Sequence, residues 1–258
     1  LHKAIRRQRQ MCIRDRNYRN QMSKRIEKQI DSFKYKGEPI KITLGTLILT
    51  CLSVLFIIVA TFTQVTIKHP YFPLDTFSFL AQDVNDYEIL HHFIKSYKYI
   101  PQIPMVFFIV ALLGRKFGIL SILMYIILGL FFPIFALGGG VRYLFEYGFG
   151  YILAFLPAIF FAGTLLKGKT DFLRVFLISV IGVLTIHVLG ILYMFFIATL
   201  RQAPMDLVTS WIISQSGIQI LYDIFFSIIA IFLGRQTRKL LWIVTVSYTH
   251  LTLPTNSL

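Results

Sequence analysis

The residues best suited to chemistry in this chain are polar side chains inside long apolar runs. Asp223 lies in the run 220–226, whose other members are aliphatic or aromatic. An unpaired carboxylate in hydrocarbon costs several kcal/mol, of order 3 or more, so Asp223 is expected to face a cavity or a partner. His187 stands between Ile186 and Val188. Such a histidine is either a functional group or a side chain bonded to a neighbouring helix.

A second polar group follows a glycine triplet, Gly138, Gly139 and Gly140. Arg142 and Glu146 are four residues apart, so they could pair on one helical turn. Alternatively, the Arg142 guanidinium could fork onto a carboxylate of a bound solute. Neighbouring aromatic side chains could wall a flat apolar ring, or could anchor the chain at a membrane surface. These aromatic residues are Tyr143, Tyr147, Phe149 and Tyr151.

Features typical of an enzyme are missing from the sequence. It has no GxxxxGK[ST] phosphate-binding loop, which argues against ATP hydrolysis by that route. His91 and His92 are adjacent, a spacing that suits joint metal ligation poorly. No grouping of serine, histidine and aspartate is visible. We therefore expect a binding protein and not an enzyme, with no metal and no cofactor.

The elements that must position these residues are apolar segments long enough to cross a bilayer. The chain is 56% hydrophobic and has a mean hydropathy of +0.68, far above an ordinary soluble domain. Apolar runs recur at residues 42–65, 99–114, 117–137, 150–166, 172–199 and 207–233. The pattern predicts an all-α, polytopic membrane protein with six transmembrane helices.

The distribution of basic residues predicts the orientation in the membrane. Within residues 17–245, fifteen lysines and arginines lie on the side of the amino-terminal tail, and five lie on the opposite side. The positive-inside rule then puts both termini in the cytoplasm. Residues 17–41 form a basic cytoplasmic tail, and residues 66–98 form an external loop whose aromatic content favours an ordered cap. The high isoelectric point, about 9.9, is explained by this bias and does not predict nucleic-acid binding.

The two ends of the chain look foreign to the rest. Residues 6–16 read RRQRQMCIRDR, and residues 246–255 read VSYTHLTLPT. These peptides are translations of a transposase-based sequencing adapter and of its reverse complement. We therefore expect residues 1–16 and 246–258 to be read-through sequence and exclude them from reasoning about the fold. Only Cys51 then remains of the two cysteines.

The stretch 101–163 carries a specific set of motifs in a fixed order. Prolines 101 and 104 open a helix, and LGRKFG, LGL, PIFA, GGG and GFGY follow at residues 113–118, 128–130, 133–136, 138–140 and 148–151. In order and spacing this set closely resembles the BioY family, the substrate-binding subunits of energy-coupling-factor (ECF) biotin importers. The resemblance extends over residues 99–239.

The resemblance implies roles for several residues and partners. The aspartate of the family's last helix contacts the biotin ring, and Asp223 aligns with it. The family commonly has a lysine three positions later, where this chain has Phe226. The expected substrate-binding residues are Asp223, Arg142, Gly138, Gly139, Gly140, Tyr147, Gly150, Tyr151 and His187. The implied partners are biotin, the lipid bilayer, an ECF transmembrane coupling subunit and two cytoplasmic ATPases.

The sequence therefore predicts a biotin-capturing subunit of the bacterial inner membrane. Its transmembrane domain spans residues 42–239. It binds biotin from the outside and delivers it inward with an energy-coupling module. One alternative is a capture subunit for another vitamin. A second is a membrane-embedded enzyme acting on a lipid or isoprenoid through Asp223 and His187.

Overall fold

In the computed structural model of the chain, residues 44–70, 94–166 and 171–251 are described, with only the backbone described for His69, Lys95 and 242–251. The predicted tail 17–41, most of the external loop and residues 1–16 lie outside these ranges. The helices are α1 (Leu44–Phe62), α2 (Gln102–Phe131), α3 (Phe149–Leu153), α4 (Phe155–Leu165), α5 (Phe172–Leu200), α6 (Met205–Ser216) and α7 (Gln219–Leu251). Strands β1 (Val65–Pro70) and β2 (Ile94–Tyr99) and a 3-10 helix (Val141–Phe145) complete the described elements.

The predicted helical class is confirmed, but six separate spans are not. Among the described residues, four stretches are long and apolar enough to cross a membrane, namely Leu44–Phe62, Gln102–Phe131, Phe172–Leu200 and Met205–Leu241. The second and third predicted segments form the single helix α2. The fourth is the shorter apolar pair α3 and α4, and the sixth is divided into α6 and α7.

Helix α2 is sharply broken at Gly114, where φ is 80° and ψ is 180°. This backbone conformation favours glycine because a Cβ would be strained there. The amide of Gln102 lies 2.9 Å from the hydroxyl of Tyr125, whereas a straight helix would separate residues 23 apart by about 34 Å. The two arms of α2 therefore run antiparallel, as a hairpin that turns at Gly114.

The segment after α2 ends the third predicted span earlier than expected. That span was predicted to reach residue 137, but the helix ends at Phe131, two residues before Pro133. Proline cannot donate a helical hydrogen bond, and its ring disfavours the helical conformation before it. The chain then turns through Gly138 and Gly140, both with positive φ. The Gly140 amide donates to the Gly129 carbonyl at 2.9 Å, which ties the turn back to α2.

Strands β1 and β2 are an addition to the helical fold that the sequence did not predict. They pair antiparallel in a two-stranded ribbon, with Val65 opposite Tyr99 and Pro70 opposite Ile94. The ribbon occupies the two ends of the stretch predicted to be an external loop. Val65, Thr66 and Ile67 are β-branched and suit an extended backbone. A two-stranded ribbon is marginally stable alone, so its contacts with the helices matter for its position.

Helix α2 is central and packs against α1, α4 and α7. The close approach of these helices depends on small residues, as is common at helix interfaces in membranes. A Cβ added at Gly182 of α5 would lie 2.4 Å from Phe107 Cζ, and one at Gly234 of α7 would lie 2.6 Å from the Phe108 carbonyl oxygen. Many large apolar side chains on the outer faces are exposed, including Phe131, Leu192 and Leu221. This pattern suits helices surrounded by lipid.

Candidate functional site

The candidate site is centred on the Asp223 carboxylate in the first part of α7. Asp223 is 0% exposed. Its Oδ1 accepts a hydrogen bond from the Tyr99 hydroxyl at 2.8 Å. Its Oδ2 lies 3.2 Å from His187 Nε2. The sequence required a partner for this carboxylate, and the structure provides partners from β2 and α5, with the Gln219 side chain of α7 as a further one.

His187 extends this contact into a chain of hydrogen bonds. Its Nδ1 lies 2.9 Å from the Ser216 hydroxyl oxygen, and that oxygen lies 2.7 Å from the Tyr151 hydroxyl. The Tyr151 and His187 rings also meet edge to face, with centroids 5.7 Å apart. Asp223, His187 and Tyr151, three of the residues predicted from the sequence, are thus brought together. Ser216 is the link that joins Tyr151 to the other two, and it completes a hydrogen-bonded group of a serine, a histidine and an aspartate that was not visible in the sequence.

Two glycines allow α3 and α5 to approach closely enough for this contact. A Cβ on Gly190 would lie 2.5 Å from Tyr151 Cδ1, and a Cβ on Gly150 would lie 2.3 Å from Tyr193 Cβ. Each helix therefore contributes one glycine and one tyrosine to the interface. Gly150, predicted as a binding residue, supports the site through packing in this structure.

Strand β2 covers the same end of α7 with two tyrosines. The Tyr97 hydroxyl donates to Gln219 Oε1 at 2.8 Å, and its ring stacks on Tyr222 with centroids 5.8 Å apart. Burial, followed by the negative charge of Asp223, raises the pKa of Tyr97 to about 12. Tyr97 therefore stays protonated, and remains a hydrogen-bond donor, at any physiological pH.

Phe226 occupies the position where the family commonly has a lysine. Its ring stacks on Tyr99, with centroids 5.1 Å apart and an interplanar angle of 27°. Tyr99 is consequently held by a ring contact as well as by its hydrogen bond to Asp223. Position 226 therefore supports the site in this chain through an aromatic contact.

The remaining predicted residues lie in the segment between α2 and α3. The glycine triplet forms the turn described above. Arg142 is exposed in the 3-10 helix. The predicted alternative of an Arg142–Glu146 pair is not seen, because Glu146 pairs with Arg201 at 3.6 Å. Both of these side chains are 41% exposed, so this ion pair contributes little stability. Among the described residues, Asp223 forms no hydrogen bond or ion pair with Arg142 or with the glycine triplet.

The predicted aromatic wall is divided between two environments. Tyr143 and Phe149 are buried and pack on Phe135, with centroid distances of 4.7 and 6.1 Å. Tyr147 is half-buried and contacts Trp211 of α6, with centroids 5.9 Å apart. The Arg201 guanidinium lies over the Tyr147 ring at 5.2 Å. Tyr143 and Phe149 are therefore core residues, whereas Tyr147 faces a more open surface.

Sequence reasoning missed Tyr99, Ser216 and Gln219. Gln219 lies four residues before Asp223, so it shares one helical face with it, and that spacing was a usable signal. Ser216 precedes Gly217, where the helical path breaks between α6 and α7. Tyr99 gave no signal, since 124 residues separate it from Asp223.

Comparisons with known proteins agree with this architecture. The crystal structure of the S-component for biotin from an ECF-type ABC transporter superposes with a TM-score of 0.53 at 20% identity, covering 77% of this chain and 95% of that one. At this identity the likeness supports the fold alone. The "Probable biotin transporter BioY" of Pyrococcus horikoshii is 42% identical over 96 residues, or 35% of this chain and 56% of the relative. The chain thus spans about half the length of that curated relative.

The family model provides the broader match. It aligns with residues 96–242, more than half of the chain. This region includes Tyr99, His187, Ser216 and Asp223, and so contains the whole buried hydrogen-bonded group. The chain belongs to the BioY family.

Proposed function

We propose that this chain is the substrate-capture subunit for biotin in an ECF-type importer, and that it works by binding and not by chemistry. The observation that carries the proposal is the buried carboxylate of Asp223, held by groups from β2 and α5 inside the region that matches the family. The names of the related transporter and of the structurally similar S-component support biotin as the solute.

The chemistry of the carboxylate suits a cyclic urea. An ionised carboxylate has two acceptor oxygens with about four lone-pair positions. Tyr99 and His187 each engage one oxygen, which leaves acceptor capacity on both. The two N–H bonds of biotin's ureido ring point away from each other, so one carboxylate accepts one of them, and Asp223 has the free acceptor capacity for it. Hydrogen bonds to a charged acceptor are the stronger ones, at roughly 1.5–3 kcal/mol each.

Access to Asp223 requires movement, because the side chain is 0% exposed. His187 is bonded at both ring nitrogens within the helices. Tyr99 belongs to the ribbon, and the neighbouring Ser96 and Lys98 are exposed. We therefore assign Tyr99 as the group that a solute displaces when it reaches the carboxylate.

The proposed arrangement in the membrane has six segments, with both termini in the cytoplasm. The two antiparallel arms of α2 and the α3–α4 pair support this count, although each is short for an independent span. The transmembrane domain covers residues 42–239, between two read-through ends. It acts in the bacterial inner membrane with an ECF coupling subunit and two cytoplasmic ATPases.

Calorimetry with purified, detergent-solubilised protein tests the proposed solute. We expect saturable binding of biotin and no binding of thiamine or riboflavin. A protein limited to residues 17–245 should bind biotin with the same dissociation constant as the full chain. Binding of thiamine or riboflavin, with no binding of biotin, would show that the chain is a capture subunit for another vitamin. Loss of folding in the shorter protein would show that the ends belong to the domain.

A further inference from the structure

With His187 neutral and Ser216 donating to one of its two partners, the hydrogen-bonded group Tyr151–Ser216–His187–Asp223 has two proton arrangements. In the inward arrangement, Tyr151 donates to Ser216, Ser216 donates to His187 Nδ1, and His187 Nε2–H donates to Asp223. In the outward arrangement every donor is reversed, so His187 Nδ1–H donates to Ser216 and Ser216 donates to Tyr151. The heavy-atom distances, 2.7, 2.9 and 3.2 Å, fit both.

The hydrogen bonding of Tyr151, at one end of this series of side chains, distinguishes the two arrangements. In the outward arrangement the Tyr151 hydroxyl accepts from Ser216, so its own hydrogen needs another acceptor. Among the described residues, Ser216 is the hydrogen-bond partner of that hydroxyl. Tyr151 is buried, at 9% exposure, and an unsatisfied buried donor costs about 1–3 kcal/mol. The inward arrangement leaves no such donor.

The hydrogen bonding of Asp223, at the other end of the series, also favours the inward arrangement. Oδ1 already accepts from the Tyr99 hydroxyl at 2.8 Å, and hydrogen bonds to the charged form favour the ionised carboxylate. A carboxylate is an acceptor only, so it favours a hydrogen on the nitrogen that faces Oδ2. In a neutral His187 the Nδ1 atom is then an acceptor, and the Ser216 hydroxyl is the donor within reach at 2.9 Å.

We propose that Ser216 is a positioning residue for the binding site, and that it fixes His187 as the neutral tautomer with its proton on Nε2. It acts by donating to Nδ1, while Tyr151 keeps the Ser216 hydroxyl pointed at the ring. Tautomer exchange of His187 would present a lone pair to the carboxylate and withdraw a donor from it. This inference rests on the proposed function for its effect on binding, but not for the state of His187.

Nitrogen-15 NMR of histidine-labelled full-length protein in detergent at neutral pH tests the tautomer directly. The His187 resonances are assigned by their loss in His187→Gln. We expect protonated Nε2 and unprotonated Nδ1 in the unaltered protein. Ser216→Ala should give a mixture of tautomers, and it should weaken biotin binding roughly fivefold to tenfold, the loss expected for one buried hydrogen bond. Ser216→Thr restores a hydroxyl and should restore both properties.

Ser214→Ala is the matched control, because Ser214 is exposed on the same helix. It should leave the spectrum and the affinity unchanged. A proton on Nδ1 in the unaltered protein would overturn the proposal, as would an unchanged His187 tautomer in Ser216→Ala. If Ser216→Ala does not fold, the spectra of the unaltered protein and of Ser216→Thr still show which nitrogen of His187 carries the proton. Failure of the unaltered protein to bind biotin would refute the proposed function and leave the tautomer result valid.

Discussion

The substitution Asp223→Asn probes the centre of the site, because it keeps the shape of the side chain and removes its charge. An amide has one acceptor oxygen and one N–H₂ group. If the oxygen faces His187, the N–H₂ group faces Tyr99, whose hydroxyl can accept. The hydroxyl hydrogen of Tyr99 then loses its acceptor inside a fully buried site. We expect the free energy of unfolding to fall by about 1–3 kcal/mol.

The effect on binding follows from the lost acceptor. The ureido N–H group that binds Asp223 would meet the amide N–H₂ group in place of a carboxylate oxygen. Loss of one charge-assisted hydrogen bond costs roughly 1.5–3 kcal/mol, so the dissociation constant should rise about tenfold to a hundredfold. Isothermal titration calorimetry on the detergent-solubilised protein measures this change, and thermal unfolding of the same sample measures stability.

Asp206→Asn is the matched control, because Asp206 is exposed in the first turn of α6. It removes the same charge and should leave the affinity unchanged. The decisive comparison uses the folded fraction only, since Asp223 also joins β2 to α5. A normal dissociation constant for folded Asp223→Asn protein, together with lower thermal stability, would mean that Asp223 is a structural residue and does not contact the solute.

Two further substitutions test the surroundings of the site. Gly190→Ala should lower thermal stability and weaken binding, because the added Cβ would lie 2.5 Å from Tyr151 Cδ1. Gly148→Ala should be tolerated, since its φ of −77° suits alanine, and equal losses in both variants would refute the packing argument. Arg142→Gln should weaken biotin binding by about twofold to fivefold, as expected for an exposed ion pair. It should leave binding of the neutral amide of biotin unchanged, and an equal loss for both ligands would show that Arg142 does not read the carboxylate.

The sequence by itself determined where most of the helices lie. The prediction for residues 172–199 matches α5 to within one residue at its end, and the first predicted segment contains α1. These helices follow from long apolar runs, which are a local property of the chain. The carboxylate at 223 was also identified as a residue that needs a partner, since the cost of an unpaired charge in hydrocarbon does not depend on the details of the fold.

Only the tertiary structure decided which groups meet. Tyr99 and Ser216 lie 124 and 29 residues from the side chains they bond, Asp223 and His187. Hydropathy is a local property and does not predict contacts between residues so far apart in sequence. Which side chains can form a hydrogen bond is decided by how the elements pack in the fold. The break in α2 was predicted, since residues 99–114 and 117–137 were read as separate segments, and the structure adds that the positive φ of Gly114 makes the turn. Apolar composition determined that the chain forms membrane helices, and the crossings of those helices determined which of their few polar groups form a site.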